Sequence, residues 1–377
     1  MKNATVGTRL LIAATFLLGL VMPAAAQDVE FGLIQPITGQ GAFVGQSFVK
    51  GVDLGLDVVN SQGGVLGGRK LKYMLEDDRC TPPETVSAAK KLIDQQGLKI
   101  LMGSMCSSTT LAILPVTQQA DVVHLVPISY APNITEQGHP RLFRTCSNSA
   151  ILGKEWAAFM QQKIGKGSIA MLSINDDFGR GDIKTVAANL EAMSDGPKVV
   201  STDFFEQDAR DFTTILTRIK ARKPDAVYII ARIPQNAMIV NQMQEINFKP
   251  VIFGSTNFAD SKFIELAGQN AEGIYANVTW TKLLDTAENQ RYLAAYAKKY
   301  GGEPSNEFAS MGWNAVMVLA DAINRAGTAG DVAKLTASLR QTNMNVVNGR
   351  FTFDSTGQAN LGAIQVRIKN GEFRPVN

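Results

Sequence analysis

The chain has 377 residues, of which 45% are hydrophobic and 19% charged, and its formal net charge is +3 at pH 7. This length exceeds what one hydrophobic core usually serves, so we expect two domains, and the nearly balanced charge gives no indication of nucleic-acid binding. Because His124 and His139 are its only histidines, a Ser-His-Asp triad or a histidine-based zinc site lacks the residues it needs.

The N-terminus has the three parts of a secretory signal peptide. Lys2 and Arg9 supply positive charge, residues 10–22 form an apolar run, and the small residues 24–26 precede Gln27. The apolar run is shorter than the roughly 18 to 20 residues that a membrane span needs. We therefore expect residues 1–26 to be a cleaved signal peptide and the mature protein to be soluble and periplasmic.

Short apolar runs then alternate with helical patterns. Strands are predicted over residues 29–35, 71–76, 100–103 and 123–128, with helices over 43–60, 84–95 and 109–119. A second series has helices over 151–163, 178–193, 212–221 and 236–246, with strands over 168–174, 198–204, 226–231 and 251–254. This alternation predicts an α/β protein with parallel sheets buried on both faces, built as two similar blocks in tandem.

The remaining part of the chain is more helical. Helices are predicted over 286–300, 307–326 and 332–341, followed by strands over 350–353 and 363–368. No Pro-rich or Ser-rich linker separates the blocks, and no glycine motif of a nucleotide-binding loop opens a helix. We therefore expect ordered connections between the two blocks and neither a cofactor nor a metal.

The chain contains three cysteines. Cys80 and Cys106 each follow a predicted strand, so a disulfide between neighbouring strand ends is sterically reasonable. Cys146 would then be a free thiol, half-buried and inert rather than reactive. His124 lies within an apolar run, which favours a place in the core or at a strand end.

Hydroxyl side chains follow two neighbouring predicted strands. Ser107 and Ser108 open the helix after strand 100–103, where hydroxyls and free backbone N–H groups suit an anion, above all a carboxylate. The alternative is that one of these serines only caps the helix. Ser129 and Tyr130 follow the next strand and reach the same carboxyl edge, where ligands of open α/β sheets bind.

Five segments, taken in order, resemble the branched-chain (leucine/isoleucine/valine) amino-acid-binding proteins, which are periplasmic substrate-binding proteins of ABC importers. They are IQPITG at 34–39, VNSQGGVLGGR at 59–69, EDDRCTP at 76–82, GSMCSST at 103–109 and NDDFGRG at 175–181. The resemblance implies the type I periplasmic binding protein fold, with two doubly wound Rossmann-like lobes joined by three crossovers. Lobe 1 would comprise residues 27–147 and 281–358, and lobe 2 residues 148–280 and 359–377.

The resemblance also implies a ligand site between the lobes and a Cys80–Cys106 disulfide. Ser107 matches the hydroxyl that receives the ligand carboxylate, and Phe178 matches the aromatic side chain that meets the ligand from the second lobe. Besides Ser129, the other positions expected to line or wall the site are Val44, Met105, Cys106, Ile128, Tyr130 and Phe308.

Two departures from the family's pattern bear on the ligand. Amino-acid binders pair a glutamate with the ligand ammonium where this chain has Thr256, and an ammonium buried without a counter-charge is costly. Asp260 substitutes for that acid only if its loop shifts. Arg232 stands where tyrosine is common, and its guanidinium can hold a carboxylate, phenolate or carbonyl unless it is solvated. Together with Tyr130 in place of a threonine, these changes favour an aromatic or apolar organic acid.

The sequence thus predicts a monomeric solute-binding component of an ABC transporter, not an enzyme, that delivers a small organic acid to a membrane permease and binds no nucleic acid. One alternative is a binding protein for branched-chain or other amino acids, and another is a ligand-sensing subunit for a signalling partner. The third is an exported hydrolase that uses Asp77, Asp78 or Asp177 as acid and base. Adjacent aspartates at a strand end more often orient a loop.

Overall fold

The computed structural model describes residue 1, residues 27–304 and residues 306–376. Residues 2–26, which make up nearly all of the predicted signal peptide, therefore lie outside the described residues. Within the described ranges, no helix is both long enough and apolar enough to cross a membrane.

The first sheet contains five parallel strands. They are β1 Val29–Gln35, β2 Leu71–Asp77, β3 Ile100–Met102, β4 Val123–Val126 and β5 Leu142–Arg144. Their order in the sheet is β2-β1-β3-β4-β5, and each neighbouring pair is parallel. The winding reverses between β1 and β3, which makes that point the expected ligand crevice of an open α/β sheet. The sequence pattern missed β5, because its apolar run is only Leu142 and Phe143, between two arginines.

The second sheet repeats this winding. Its strands are β6 Ser168–Ile174, β7 Lys198–Phe205, β8 Ala226–Ile230, β9 Val251–Gly254, β10 Tyr275–Val278, β13 Ile364–Lys369 and β14 Glu372–Pro375, and a separate hairpin is formed by β11 Asn343–Val346 and β12 Gly349–Thr352. The order is β14-β13-β10-β9-β8-β6-β7. Its parallel part, β7-β6-β8-β9-β10, has the same order as the first sheet, while β13 and β14 add an antiparallel edge.

The α-helices fill the connections between strands, and several strands are buried along their whole length. In the described residues they are α1 Ala42–Ser61, α2 Pro82–Lys90, α3 Ser107–Gln119, α4 Asn133–Glu136, α5 Ser149–Ile164, α6 Asp177–Glu191, α7 Thr213–Ala221, α8 Ile233–Glu245, α9 Ser261–Ala267, α10 Ala287–Tyr300, α11 Phe308–Ala326 and α12 Val332–Arg340. Strands β3, β4 and β8 are buried at every residue, as expected for parallel sheets covered on both faces.

Helix α11 follows the first five strands of the second sheet in sequence but packs against α1, which belongs to the first block. Glycines allow this close approach: a Cβ at Gly51 would lie 1.8 Å from the carbonyl oxygen of Ala309, and one at Gly312 would lie 2.3 Å from that of Phe48. Any larger residue at either position would force the two helices apart.

The chain passes three times between the two sheet regions. It leaves the first sheet after β5, returns after β10 to α11, and leaves again after Gln358, which forms a bridge with Arg144 at the end of β5. Strands β13 and β14 then complete the second sheet. The predicted fold class, two doubly wound α/β units with three crossovers, is confirmed.

Candidate functional site: a cavity between the two sheets

A small cavity is lined by residues that follow strands of both sheets at their carboxyl ends. All residues predicted for the site line it except Cys106 and Ser129, and Asn257 is an addition: the lining residues are Val44, Met105, Ser107, Ile128, Tyr130, Phe178, Arg232, Thr256, Asn257 and Phe308. The space open to the centre of a water molecule is about 20 Å³. This is enough room for roughly one water. A whole organic acid therefore fits only when the elements around the cavity move apart.

Cys106 and Ser129 lie directly behind the cavity wall. Cys106 is the N-cap residue of α3, and the hydroxyl of Ser129 donates to the carbonyl oxygens of Ser104 at 2.9 Å and Met105 at 3.0 Å. Both residues hold the turn between β3 and α3. They therefore support the position of Met105 and Ser107 without lining the cavity themselves.

Ser107 is the first residue of α3 and brings a hydroxyl and a helix N-terminus to the cavity. Its oxygen accepts a hydrogen bond from the backbone N–H of Ala131 at 3.1 Å. Because a hydroxyl has one proton and that bond uses only a lone pair, the Ser107 proton stays available for an acceptor in the cavity. Neither Ser107 nor Ser108 caps the helix, since no side chain bonds at its N-cap.

The predicted disulfide joins Cys80 to Cys106, whose Cα atoms are 5.7 Å apart. It ties the loop after β2 to the turn that carries Ser107. Cys146 is buried and free. Burial raises the pKa of the Cys146 thiol to about 12, so the group is not a thiolate at neutral pH. The predicted half-buried position is wrong, since Cys146 is fully buried.

Two aromatic rings from different sheet regions meet at the cavity. Tyr130 follows β4 and Phe178 lies in the first turn of α6, and their ring centroids are 6.2 Å apart with a tilt of 48° between the planes. Both side chains are buried. This pair can hold the flat or apolar body of a ligand by offset contact with its faces.

Arg232 lines the cavity but is already paired with an acid. Its Nη2 lies 2.6 Å from the Oδ2 of Asp176, and the two side chains are only 7% and 3% exposed. The guanidinium carbon also lies 5.6 Å from the centre of the Phe178 ring. The solvated alternative is thereby wrong, and the charge of Arg232 is matched by Asp176, which also caps α6 through Gly179. The sequence analysis did not identify this partner.

The hydroxyl of Thr256 donates to a buried carboxylate, Glu307, that the sequence analysis missed. The same oxygen of Glu307, Oε1, accepts from the Tyr130 hydroxyl at 3.2 Å, and Oε2 accepts from the backbone N–H of Thr279 at 2.6 Å and its hydroxyl at 2.9 Å. Burial raises the pKa of Glu307, while these hydrogen bonds oppose that rise. A carboxylate thus lies directly behind Thr256, the position where the family pattern has an acid and this chain does not.

The signal for Glu307 in the sequence was weak. It precedes Phe308, an expected wall residue, and it was predicted only as the start of a helix, where it is indeed the N-cap residue of α11. Acidic residues are common in the first turn of a helix, because they interact favourably with its dipole. Nothing local therefore distinguished Glu307 from an ordinary helix start.

The other acids considered from the sequence lie away from the cavity lining. Asp260 caps α9 through the N–H of Lys262 at 2.6 Å and accepts from the side-chain amide of Asn306 at 2.5 Å. Asp77 accepts from the backbone of Ile37 at 2.9 Å and from Thr38, while Asp78 accepts from Ser104 and Thr85. These carboxylates orient loops, which is the structural role that the adjacent pair suggested.

The two histidines are buried in the core of the first sheet region and both contact the hydroxyl of Thr117. Burial lowers the pKa of His124 to about 3 and that of His139 to about 4, so both are neutral at physiological pH. Among the described residues, no group of three or more His, Cys, Asp or Glu side chains is arranged to hold a metal ion.

The cavity at the carboxyl ends of two identically wound sheets can be compared with known proteins. Residues 28–372, nearly the whole chain, match the periplasmic binding protein family. The chain belongs to this family. A leucine-, isoleucine-, valine-, threonine- and alanine-binding protein of Pseudomonas aeruginosa is a relative of this periplasmic binding protein, 26% identical over 358 residues that cover 95% of this chain and 94% of the relative.

Solved structures agree with this assignment. A leucine-binding protein from Thermotoga maritima is 26% identical with a TM-score of 0.84, covering 93% of this periplasmic binding protein and 98% of its own chain. A solute-binding protein of an ABC transporter from Rhodopseudomonas palustris, in complex with benzoate, is 24% identical with a TM-score of 0.83 and coverages of 93% and 96%, a likeness that shows the fold alone. The predicted resemblance to the leucine/isoleucine/valine-binding group and the type I fold are confirmed.

Proposed function

We propose that this periplasmic binding protein is the solute-binding component of an ABC transporter, and that it binds a small organic acid with an aromatic or apolar body and delivers it to a membrane permease. The observation that carries the proposal is the available proton of Ser107 at the N-terminus of α3, on the edge of a cavity walled by Tyr130 and Phe178. A carboxylate binds well at such a helix terminus, and the rings suit an apolar body.

Binding would couple to closure of two lobes. We propose residues 27–147 with 281–358 as the first lobe and residues 148–280 with 359–377 as the second. Cavity residues then come from both, with Ser107 on the first and Phe178, Arg232 and Thr256 on the second. Because only a closed arrangement contacts the ligand from both sides, an acid would shift the open–closed equilibrium towards the closed form that the permease recognises.

An amino-acid ligand is the second candidate, and Glu307 favours it. The carboxylate lies directly behind Thr256 and Tyr130, so a ligand ammonium in the cavity would lie near a negative charge after all. The names of the Pseudomonas aeruginosa and Thermotoga maritima relatives point the same way.

The relatives are named as binding proteins rather than enzymes, which supports a role in capture rather than turnover. We propose that the mature protein acts in the periplasm as a monomer, after removal of residues 1–26. A ligand-sensing role with a signalling partner would use the same cavity and the same closure. Loss of uptake of the ligand on gene deletion, with an intact response to it, separates transport from sensing.

A thermal-shift panel tests the proposal. Purified residues 27–377 are heated with benzoate and 4-hydroxybenzoate, with aliphatic dicarboxylates, and with leucine and isoleucine, and native mass spectrometry identifies any ligand that copurifies. We expect at least one aromatic or apolar monocarboxylate to raise Tm, since micromolar binding, about 8 kcal/mol, stabilises a protein measurably at millimolar ligand.

The panel separates the candidates. Stabilisation by leucine or isoleucine but by no aromatic acid contradicts the first candidate and establishes the second. No shift with any acid, together with no change in scattering radius, contradicts both. Release of the free acid from an ester or amide of one of these acids would instead revive the hydrolase alternative.

A further inference from the structure

Glu307 determines where the hydroxyl protons at the Thr256 side of the cavity point. The carboxylate is 3% exposed and is contacted by four donors: the hydroxyls of Thr256, Tyr130 and Thr279, and the backbone N–H of Thr279. Four donors around one carboxylate match the ionised form, which only accepts hydrogen bonds. With this set of donors, all three hydroxyls direct their single protons at Glu307.

This arrangement determines what the cavity offers a ligand. A hydroxyl has one proton and two lone pairs. Thr256 and Tyr130 both line the cavity, and because their protons bond to Glu307, only lone pairs remain for a ligand atom. The hydroxyl oxygens of Thr256 and Tyr130 thus face the cavity as acceptors.

The Ser107 side has the opposite polarity. Its oxygen accepts from the N–H of Ala131, so its proton is available, and it stands at a helix N-terminus that favours negative charge. Arg232 adds no unmatched positive charge at the other side, because Asp176 neutralises it within 2.6 Å. The hydroxyl groups of the cavity therefore differ in polarity, with a donor at Ser107 and acceptors at Thr256 and Tyr130.

We infer that Glu307 is a positioning residue that makes the site select acids carrying a hydrogen-bond donor, an ammonium or a hydroxyl group, over acids that carry an oxo group or no polar group at the same carbon. This inference rests on the proposed function, in which an acid binds in this cavity with its carboxylate at Ser107. It extends that function by naming the second group of the ligand. An oxo group would place its lone pairs against those of Thr256 and Tyr130, and an unsubstituted carbon would leave these oxygens unpaired.

The substitution Glu307→Gln tests the inference, because the structure dictates how the glutamine must lie. The backbone N–H of Thr279 is a fixed donor, which holds the amide oxygen on its side and turns the amide NH₂ towards Thr256 and Tyr130. These hydroxyls would then accept from the amide and direct their protons into the cavity. The variant should therefore reverse the preference of the site at nearly constant shape.

The probes are two sets of acids with a common skeleton. One set is leucine, 2-hydroxy-4-methylpentanoate, 2-oxo-4-methylpentanoate and 4-methylpentanoate, and the other is phenylalanine, 3-phenyllactate, phenylpyruvate and 3-phenylpropanoate. Titration calorimetry at pH 7 gives Kd for each. For the wild-type protein we expect the hydroxy acid of at least one set to bind about tenfold tighter than its oxo and unsubstituted partners, the size of one buried hydrogen bond.

In the Glu307→Gln variant the ratio between hydroxy and oxo acid should fall to one or below. The control Thr256→Val removes one acceptor while leaving Glu307, and it should weaken the hydroxy acid and lower the ratio only part of the way to one, because the Tyr130 oxygen still faces the ligand. If Glu307 only stabilised the fold, Glu307→Gln would weaken the binding of all acids alike and leave the ratio unchanged. That result would contradict the inference.

The wild-type measurements also stand alone if a variant fails to fold. Equal or tighter binding of the oxo acids by the wild-type protein overturns the inference while the proposed function survives. If no acid of either set binds, the inference falls, and the thermal-shift panel, which also contains benzoate and 4-hydroxybenzoate, decides the proposed function separately.

Discussion

The two ends of the cavity differ in the sequence separation between the residues whose hydrogen bonds set their polarity. At the Ser107 end, a strand, a turn and a helix N-terminus follow one another, and the fixing hydrogen bond joins Ser107 to Ala131 across 24 residues. At the Thr256 end, Glu307 is 51 residues from Thr256 and 177 from Tyr130. The first end is a property of two consecutive βα units, and the second exists only when the crossovers have brought three distant segments together.

This contrast explains how the departures from the family pattern are compensated. Thr256 replaces an acid at a strand end, and a glutamate from the N-cap of α11 lies behind it. Arg232 brings a positive charge, and Asp176 from the N-cap of α6 neutralises it. In both cases the compensating acid begins a helix, where an acidic residue is already favourable.

The largest expected effect comes from breaking the Arg232–Asp176 pair. Replacing Arg232 with Met leaves a carboxylate that is 3% exposed without its partner, and removal of one member of a buried ion pair costs about 3 to 5 kcal/mol. We expect the free energy of unfolding in urea to fall by that amount. The double variant Arg232→Met, Asp176→Asn is the matched control and should recover much of the loss, since asparagine can still cap α6 through Gly179. An unchanged denaturation midpoint in the single variant would mean that this end of the cavity is hydrated and not neutralised by the pair.

The disulfide gives the corresponding test at the Ser107 end. Cys80 and Cys106 are 26 residues apart in sequence, and closing a loop of this size stabilises a protein by about 3 kcal/mol in the chain-entropy description. The variant Cys80→Ser, Cys106→Ser should lose about that much stability in urea. The wild-type protein under reducing conditions should behave in the same way, and Cys146→Ala, which leaves the disulfide intact, is the matched control for losing a cysteine. If reduction leaves the unfolding curve in place, the turn that carries Ser107 is held by its hydrogen bonds alone.

Much of the fold was predictable because its strands and helices follow from local patterns of apolar residues. The parallel strands of both blocks have short apolar runs, and the helices between them have apolar faces, so element type and order followed from periodicity. The misses included β5 and β14, which lack an apolar run of the length seen in the other strands: β5 reads LFR, and β14 reads EFRP and is mostly exposed. Helix α2 was predicted to continue to residue 95, but its last part is a π-helix, Lys91–Gln95.

The site was predictable to the same degree. Residues that follow strands at their carboxyl ends, such as Ser107, Tyr130 and Phe178, could be placed at one edge because parallel topology brings those ends together. The partners Asp176 and Glu307 could not, since nothing in the sequence states which helix start will face which strand end. Their absence from the prediction led to a site without an acid near Thr256, whereas the structure has one directly behind it.

The smallest expected effect distinguishes the two ends of the cavity directly. Replacing Ser107 with Ala removes the donor at the carboxylate end, and a hydrogen bond to a charged group contributes about 1.5 to 3 kcal/mol, or roughly 10-fold to 150-fold in Kd. We expect this loss in calorimetric titrations with whichever acid of the two sets binds most tightly. Ser108→Ala is the matched control, because Ser108 accepts from the N–H of Asp177 at 3.4 Å and does not line the cavity.

The pattern of the Ser107→Ala loss matters more than its size. Every acid in the two sets has the same carboxylate, so the variant should weaken hydroxy, oxo and unsubstituted acids by similar factors and leave their ratios as in the wild-type protein. Glu307→Gln should do the reverse, changing the ratios with a smaller change in mean affinity. If Ser107→Ala altered the ratio between hydroxy and oxo acids, the ligand would bind in the opposite direction, with its donor group and not its carboxylate at the N-terminus of α3.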